Sequence, residues 1–170
     1  MGLLFEKYVR NRLLKYQPRL TVDPAHAVIT PEEFPDIRRC LGEIGKTRIE
    51  IDVIAYSDEK VYLISCKAPD LYRGPEMMRD LFFVAFEDFE DMIEWDLAAA
   101  GEIEDYARCV RESERYLSSR GLQGKQIIPI LITSDLRPIS LDSTRRLLGA
   151  GRIIPDVSVI QAMNIPKTVF

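Results

Sequence analysis

The chain has 170 residues, 46% of them hydrophobic, enough for one domain with a substantial core and short for two. A formal net charge of −4 and a pI near 5.2 exclude a protein whose whole surface is a nucleic-acid footprint, but not a local basic site. No apolar run approaches the roughly 20 residues of a membrane span, and Met1-Gly2-Leu3-Leu4-Phe5-Glu6 carries neither a signal-peptide core nor a myristoylation pattern, so a cytoplasmic protein with no membrane partner is expected.

Residues 3 to 16, LLFEKYVRNRLLKY, place Leu4, Tyr8 or Val9, Arg12 or Leu13, and Tyr16 at helical spacing, and Pro18 ends the pattern. This predicts an amphipathic first helix. Pro24, Pro31 and Pro35 then divide the chain into short pieces, with a strand expected either around Ala25 to Ile29 or around Ile37 to Leu41. The stretch IEIDVIAYSDEKVYLISCKA, residues 49 to 68, reads as an antiparallel hairpin around the turn Ser57-Asp58-Glu59-Lys60. Pairing outward from that turn sets Tyr56 against Val61, Ile54 against Leu63, Asp52 against Ser65 and Glu50 against Lys67 on one face. Ala55 with Tyr62, Val53 with Ile64 and Ile51 with Cys66 form the other face, which is wholly apolar. The first face becomes polar only at its far end, so a polar patch sits at the rim of a buried surface.

From about Pro75 to Ser119 two helices are expected, with Pro75 near the first N-terminus and Gly101 as the break. Between Glu76 and Asp96 there are eight acids and a single basic residue, Arg79, which would repel phosphate if that stretch faced it. QIIPILITS, residues 126 to 134, reads as a buried strand with one side unpaired near Pro129. A short helix around Leu141 to Leu148 and a last strand around Asp156 to Gln161 complete the order. The pattern is that of an α/β domain spanning residues 1–170, with a mixed sheet flanked by helices.

Cys40, Cys66 and Cys109 are odd in number and widely spaced, which points to reduced, buried thiols rather than a disulfide framework or a zinc cluster. Gly45-Lys46-Thr47 fails as a phosphate-binding loop, because Cys40 stands where the first glycine belongs and a strand follows. His26 is the only histidine and has no partner motif around it, so it reads as a loop residue.

The hairpin cluster carries more chemistry. A solvated cross-strand ion pair between Glu50 and Lys67 would predict polar residues along the whole face, yet Ile54, Tyr56, Val61 and Leu63 occupy the rest of it. Carboxylates converging with a lysine at a cleft rim suit a hard divalent cation and a positioned water beside a phosphodiester.

A helix with an early glutamate, then a strand acid, a strand ending in Ser65-Cys66-Lys67 and a further helix together resemble the PD-(D/E)XK nuclease superfamily. Gly2-Leu3-Leu4-Phe5-Glu6 and Glu50-Ile51-Asp52-Val53-Ile54-Ala55 are most similar to its archaeal Holliday-junction-resolvase-like and Mrr-like branches. The resemblance covers about residues 2 to 80. It implies a restriction-endonuclease-like core, in which the first helix packs beside the hairpin, and a magnesium-dependent endonuclease acting on DNA, branched or damaged DNA included, with Mn²⁺ as a substitute and a homodimer as the assembly. Asp52 would be the strand acid on the metal, Lys67 the lysine that orients the attacking water, and Glu6 the helix acid that completes the site, with Glu50 beside them. Ser65 stands where the family has Glu, Asp or Gln. Some type II restriction enzymes with Ser-x-Lys take the missing carboxylate from the next helix, which here implies Asp80, thirteen residues past Lys67, or Glu76 one turn earlier. The same departure implies the alternative of a catalytically inactive nuclease-like domain that binds nucleic acid or assembles with protein.

Overall fold

The central hairpin closes on Ser57, whose N–H donates to the Lys60 carbonyl at 2.9 Å while its Oγ accepts from the Lys60 N–H at 3.2 Å. That turn sets the register of β4 (Val53–Tyr56) against β5 (Lys60–Lys67), with Val53 opposite Ile64 and Tyr56 opposite Val61, as expected from the sequence. The computed structural model describes residues 2–67, 86–133 and 157–170. The helix expected at Leu141 to Leu148, and the residues Glu76 and Asp80, lie outside them.

On the far side of β4 runs the short β1 (Thr21–Val22), antiparallel to it. β6 (Gln126–Thr133) lies parallel to β5 along its whole length, from Lys60 opposite Gln126 to Lys67 opposite Thr133, and β7 (Ser158–Gln161) lies parallel to β6. The sheet order is β1-β4-β5-β6-β7. Parallel neighbours need a crossover, and the described part of it is α3 (Phe86–Glu112) followed by α4 (Glu114–Ser119). Gly121, at φ 64°, takes the left-handed position that ends α4. Pro129 stands opposite Leu63 on the β5 side and one residue before β7 begins to pair at Ile130.

Each face of this mixed sheet is covered. On one side α1 (Gly2–Tyr16) lays Val9 and Leu13 against Tyr62, Ile64 and Cys66, and Gln17 Nε2 ties the helix end to the carbonyls of Ile165 and Thr168 in the C-terminal 3₁₀ turn. On the other, Ile103, Ala107 and Val110 of α3 pack on Ile54, Val61, Leu63 and Leu131. A two-stranded ribbon, β2 (Ala27–Ile29) with β3 (Ile49–Ile51), and the short α2 (Arg38–Glu43) complete that second layer. The strand left open between two positions is thus at Ala27–Ile29, and Ile37 to Leu41 is helical.

Three sequence expectations need correction. α3 runs unbroken through Gly101, because Ala99, Ala100, Ile103 and Ala107 bury a continuous apolar stripe that outweighs the roughly 1 kcal/mol helix penalty of one glycine; the break falls at Ser113, which caps α4 through the Tyr116 N–H. The buried face of α1 is Glu6, Val9 and Leu13, leaving Leu4 72% exposed. Finally, Cys40 of α2 and Cys109 of α3 are joined as a disulfide, with Cα atoms 5.5 Å apart, while Cys66 is the free, buried thiol. Only the fold brings residues 69 positions apart together.

Candidate functional site

Asp52 is where the chain leaves the large sheet. β4 pairs with β5 only as far as Val53, and the residues before it turn away to pair with β2, so Glu50 stands opposite Val28 rather than Lys67. The Glu50 carboxylate is half-exposed and pairs with Arg48 at 2.5 Å. At the break itself the side chain replaces the missing backbone partner: Asp52 Oδ2 accepts the Cys66 N–H at 2.6 Å and lies 3.4 Å from the Ser65 hydroxyl. Cross-strand proximity of Asp52 and Ser65 was legible in the sequence; the side-chain continuation of the ladder was not.

Ser65 is buried and shares its face of β5 with Lys67, which ends the strand half-buried. Asp52, through the Cys66 amide, and Lys67 thus lie at the same end of β5, Lys67 on the α3 side beside Glu102 and Tyr106. From the α1 side comes Glu6, only 9% exposed. One of its oxygens, Oε2, is buried with no hydrogen-bond partner, and its nearest positive charge is Arg10, 3.7 Å away on the next helical turn. Burial, with the Asp52 charge second, pushes the Glu6 carboxyl above its ordinary 4.5, against the smaller opposing pull of Arg10. Arg10 in turn donates from Nη2 to the Asp52 carbonyl oxygen, binding α1 to the strand break. The sequence reading missed Arg10, although the i,i+4 spacing from Glu6 is a signal for it.

A carboxyl whose folded-state pKa lies above its unfolded value binds extra protons when folded, so stability falls as pH rises from 4.5 through the raised value. Glu6→Gln removes that cost. The variant is expected to melt above the wild type at pH 7.5, with the difference closing below the ordinary carboxyl pKa. A Gln variant that melts lower at pH 7.5 would show that the Arg10 pair outweighs desolvation.

The residues present are adequate for a magnesium ion in its usual protein setting, which takes one or two carboxylates and leaves the remaining positions to water and substrate phosphate. Asp52 and Glu6 would supply the carboxylates, and Glu6 Oε2, which accepts no hydrogen bond and faces the Arg10 guanidinium at 3.7 Å, is an oxygen that a cation would satisfy. Among the described residues no three His, Cys, Asp or Glu side chains form a ready metal cluster. Among them also, no helix is long and apolar enough to cross a membrane. No family model matches the chain, no curated protein matches it, and no solved structure matches it.

Proposed function

We propose that the chain is a metal-dependent endonuclease that hydrolyses DNA phosphodiester bonds, with a restriction-endonuclease-like core of the PD-(D/E)XK kind. The observation that carries this reading is the meeting of Asp52 and buried Glu6 at the strand break, beside the Ser65-Cys66-Lys67 end of the neighbouring strand. The order helix with Glu6, strand break at Asp52, strand ending in Lys67, then helix supports the resemblance.

In this reading Asp52 and Glu6 hold Mg²⁺ or Mn²⁺, with the Ser65 hydroxyl steadying Asp52. The bound ion supplies Lewis-acid polarisation of the phosphodiester and an acidified water. Lys67 orients the attacking water and offsets charge on the non-bridging oxygens. The Cys66 amide and Arg10 fix the position of Asp52, one through the carboxylate and the other through the carbonyl. The test is cleavage of branched, linear and single-stranded DNA with Mg²⁺, Mn²⁺ or a chelator, comparing wild type with Lys67→Ala at matched purity. Chelator-sensitive cleavage that drops about 100-fold in Lys67→Ala is expected. Equal residual activity in the two preparations marks a contaminant and sinks the proposal.

A second reading, a non-catalytic module that binds nucleic acid or assembles with protein, is favoured by one observation. Arg10 already brings a fixed positive charge to Glu6 and Asp52, and Ser65 provides no carboxylate. Calorimetry separates the two: magnesium or manganese uptake that disappears in an Asp52 variant supports the nuclease, and no such uptake supports the module.

A further inference from the structure

His26, the only histidine, reads from the sequence as a loop residue, yet the fold stations it at the strand break. The stretch from Thr21 to Ile29 runs antiparallel to the stretch from Ile49 to Tyr56 on both sides of that break. Val22 stands opposite Ala55, the Asp23 N–H donates to the Ile54 carbonyl at 2.9 Å, and Ala27 stands opposite Ile51. Between these pairs Pro24, Ala25 and His26 face only Asp52 and Val53. One side therefore carries an extra residue, in the manner of a β-bulge, a device that bends a strand and re-aims a side chain. Pro24 has no N–H to leave unpaired there. His26 adjoins Ala27 as Asp52 adjoins Ile51, so the two stand level at the end of the β2–β3 ribbon. Strand alternation puts His26 on the exposed face with Val28 and Glu50, while Ile29, Ile49 and Ile51 are buried on the other.

The imidazole also lies within the field of the other carboxylate. After burial, the Asp52 charge and Arg10, it is the fourth influence on the Glu6 carboxyl, and it acts to lower that pKa. A histidine in this place could serve the metal, the fold or the substrate. As a third metal ligand it would have to close on Asp52 and Glu6, and among the described residues no three such side chains form a metal cluster. As a prop for the break it would be buried, whereas it is exposed. The substrate has the greater need of it. Asp52 and Glu6 give the site a negative field that opposes a phosphate, Arg10 is committed to both of them, and Lys67 stands on the α3 side. We propose that His26 binds the DNA strand at this site, donating an imidazole N–H to a non-bridging oxygen of the phosphate next to the scissile one. A strand crossing the break is then held from the ribbon side by His26 and from the α3 side by Lys67. The proposal rests on the nuclease reading for the identity of the anion, and adds to it a residue that positions substrate without taking part in bond breaking.

The full chain is tested on labelled linear and branched DNA, with binding read by anisotropy in Ca²⁺, a hard cation for the same oxygen ligands, and cleavage kinetics read in Mg²⁺. His26→Ala should weaken binding and raise KM by roughly tenfold, the factor a hydrogen bond to a charged group supplies, with kcat within about twofold of wild type. His26→Gln keeps an N–H donor of similar reach and should recover most of the loss. Because His26 is exposed, both variants should melt with the wild type. Unchanged binding and KM in His26→Ala return the residue to the loop and overturn the proposal. A fall in kcat at unchanged KM overturns it too, since that places His26 in the chemical step. Cleavage indifferent to His26→Ala sinks the contact and spares the nuclease, whereas His26-dependent DNA binding without any cleavage upholds the contact and sinks the nuclease. A wild type that neither binds nor cleaves DNA sinks both.

Discussion

Asp52→Asn is expected to lower the proposed metal-dependent DNA cleavage on the order of 10³-fold while leaving the protein folded, because the substitution would remove a charge worth several kcal/mol to a bound cation and keeps an acceptor of the same shape. The amide oxygen of Asn can still take the Cys66 N–H that Asp52 Oδ2 takes at 2.6 Å. The cost to stability should therefore stay within about 1 kcal/mol, the difference between a charged and a neutral acceptor. Asp52→Ala behaves differently. It strips the Cys66 N–H of its partner at a position where β3 has already left the sheet, and an unsatisfied buried donor costs about 1 to 3 kcal/mol. The pair of variants separates two roles that a single substitution confuses: the Ala change moves both the melting temperature and the rate, the Asn change the rate alone. An Asn variant that cleaves at the wild-type rate removes Asp52 from the chemistry and leaves it a strand-end device.

The same residue shows why the site was only partly legible in the sequence. The turn chemistry at Ser57 to Lys60 fixes the β4–β5 register, and with it the neighbourhood of Asp52 and Ser65. Nothing local marks the departure of β3. Ile49 and Ile51 alternate with Glu50 as they would in either sheet, and the choice of Ala27–Ile29 as partner is a long-range packing decision. So the expected Glu50–Lys67 pair gave way to Glu50 with Arg48. In α1 the phase shifted because Glu6 and Arg10 occupy positions a hydrophobic stripe would normally claim. A buried carboxylate and guanidinium conflict with the packing logic of the rest of the helix, and such conflicts concentrate at functional sites. The disulfide was illegible for a simpler reason, as residues 69 apart carry no pairing signal until the helices that hold them have packed.

That disulfide should be the largest single contributor to stability. Cys40 and Cys109 are both fully buried, at a seam where Ile37 and Leu41 join the same apolar cluster as Ile103, Ala107 and Val110 of α3. Glu43 with Arg108 and Lys46 with Glu102 follow along the same seam, but both pairs are substantially exposed and contribute under about 1 kcal/mol each. A crosslink between residues 69 apart limits the unfolded chain by about 4 kcal/mol in the loop-entropy picture. Cys40→Ala with Cys109→Ala should therefore lower the melting temperature by roughly 10 °C, the shift such a loss produces in a chain of this size. Wild-type protein melted in dithiothreitol should fall towards the variant, and the variant should ignore the reductant. Thiol titration in denaturant gives an independent reading: one reactive thiol, Cys66, before reduction, and three after it. Three thiols without reductant would mean that the two helices pack with Cys40 and Cys109 unbonded, and the reductant-dependent melt should then vanish as well.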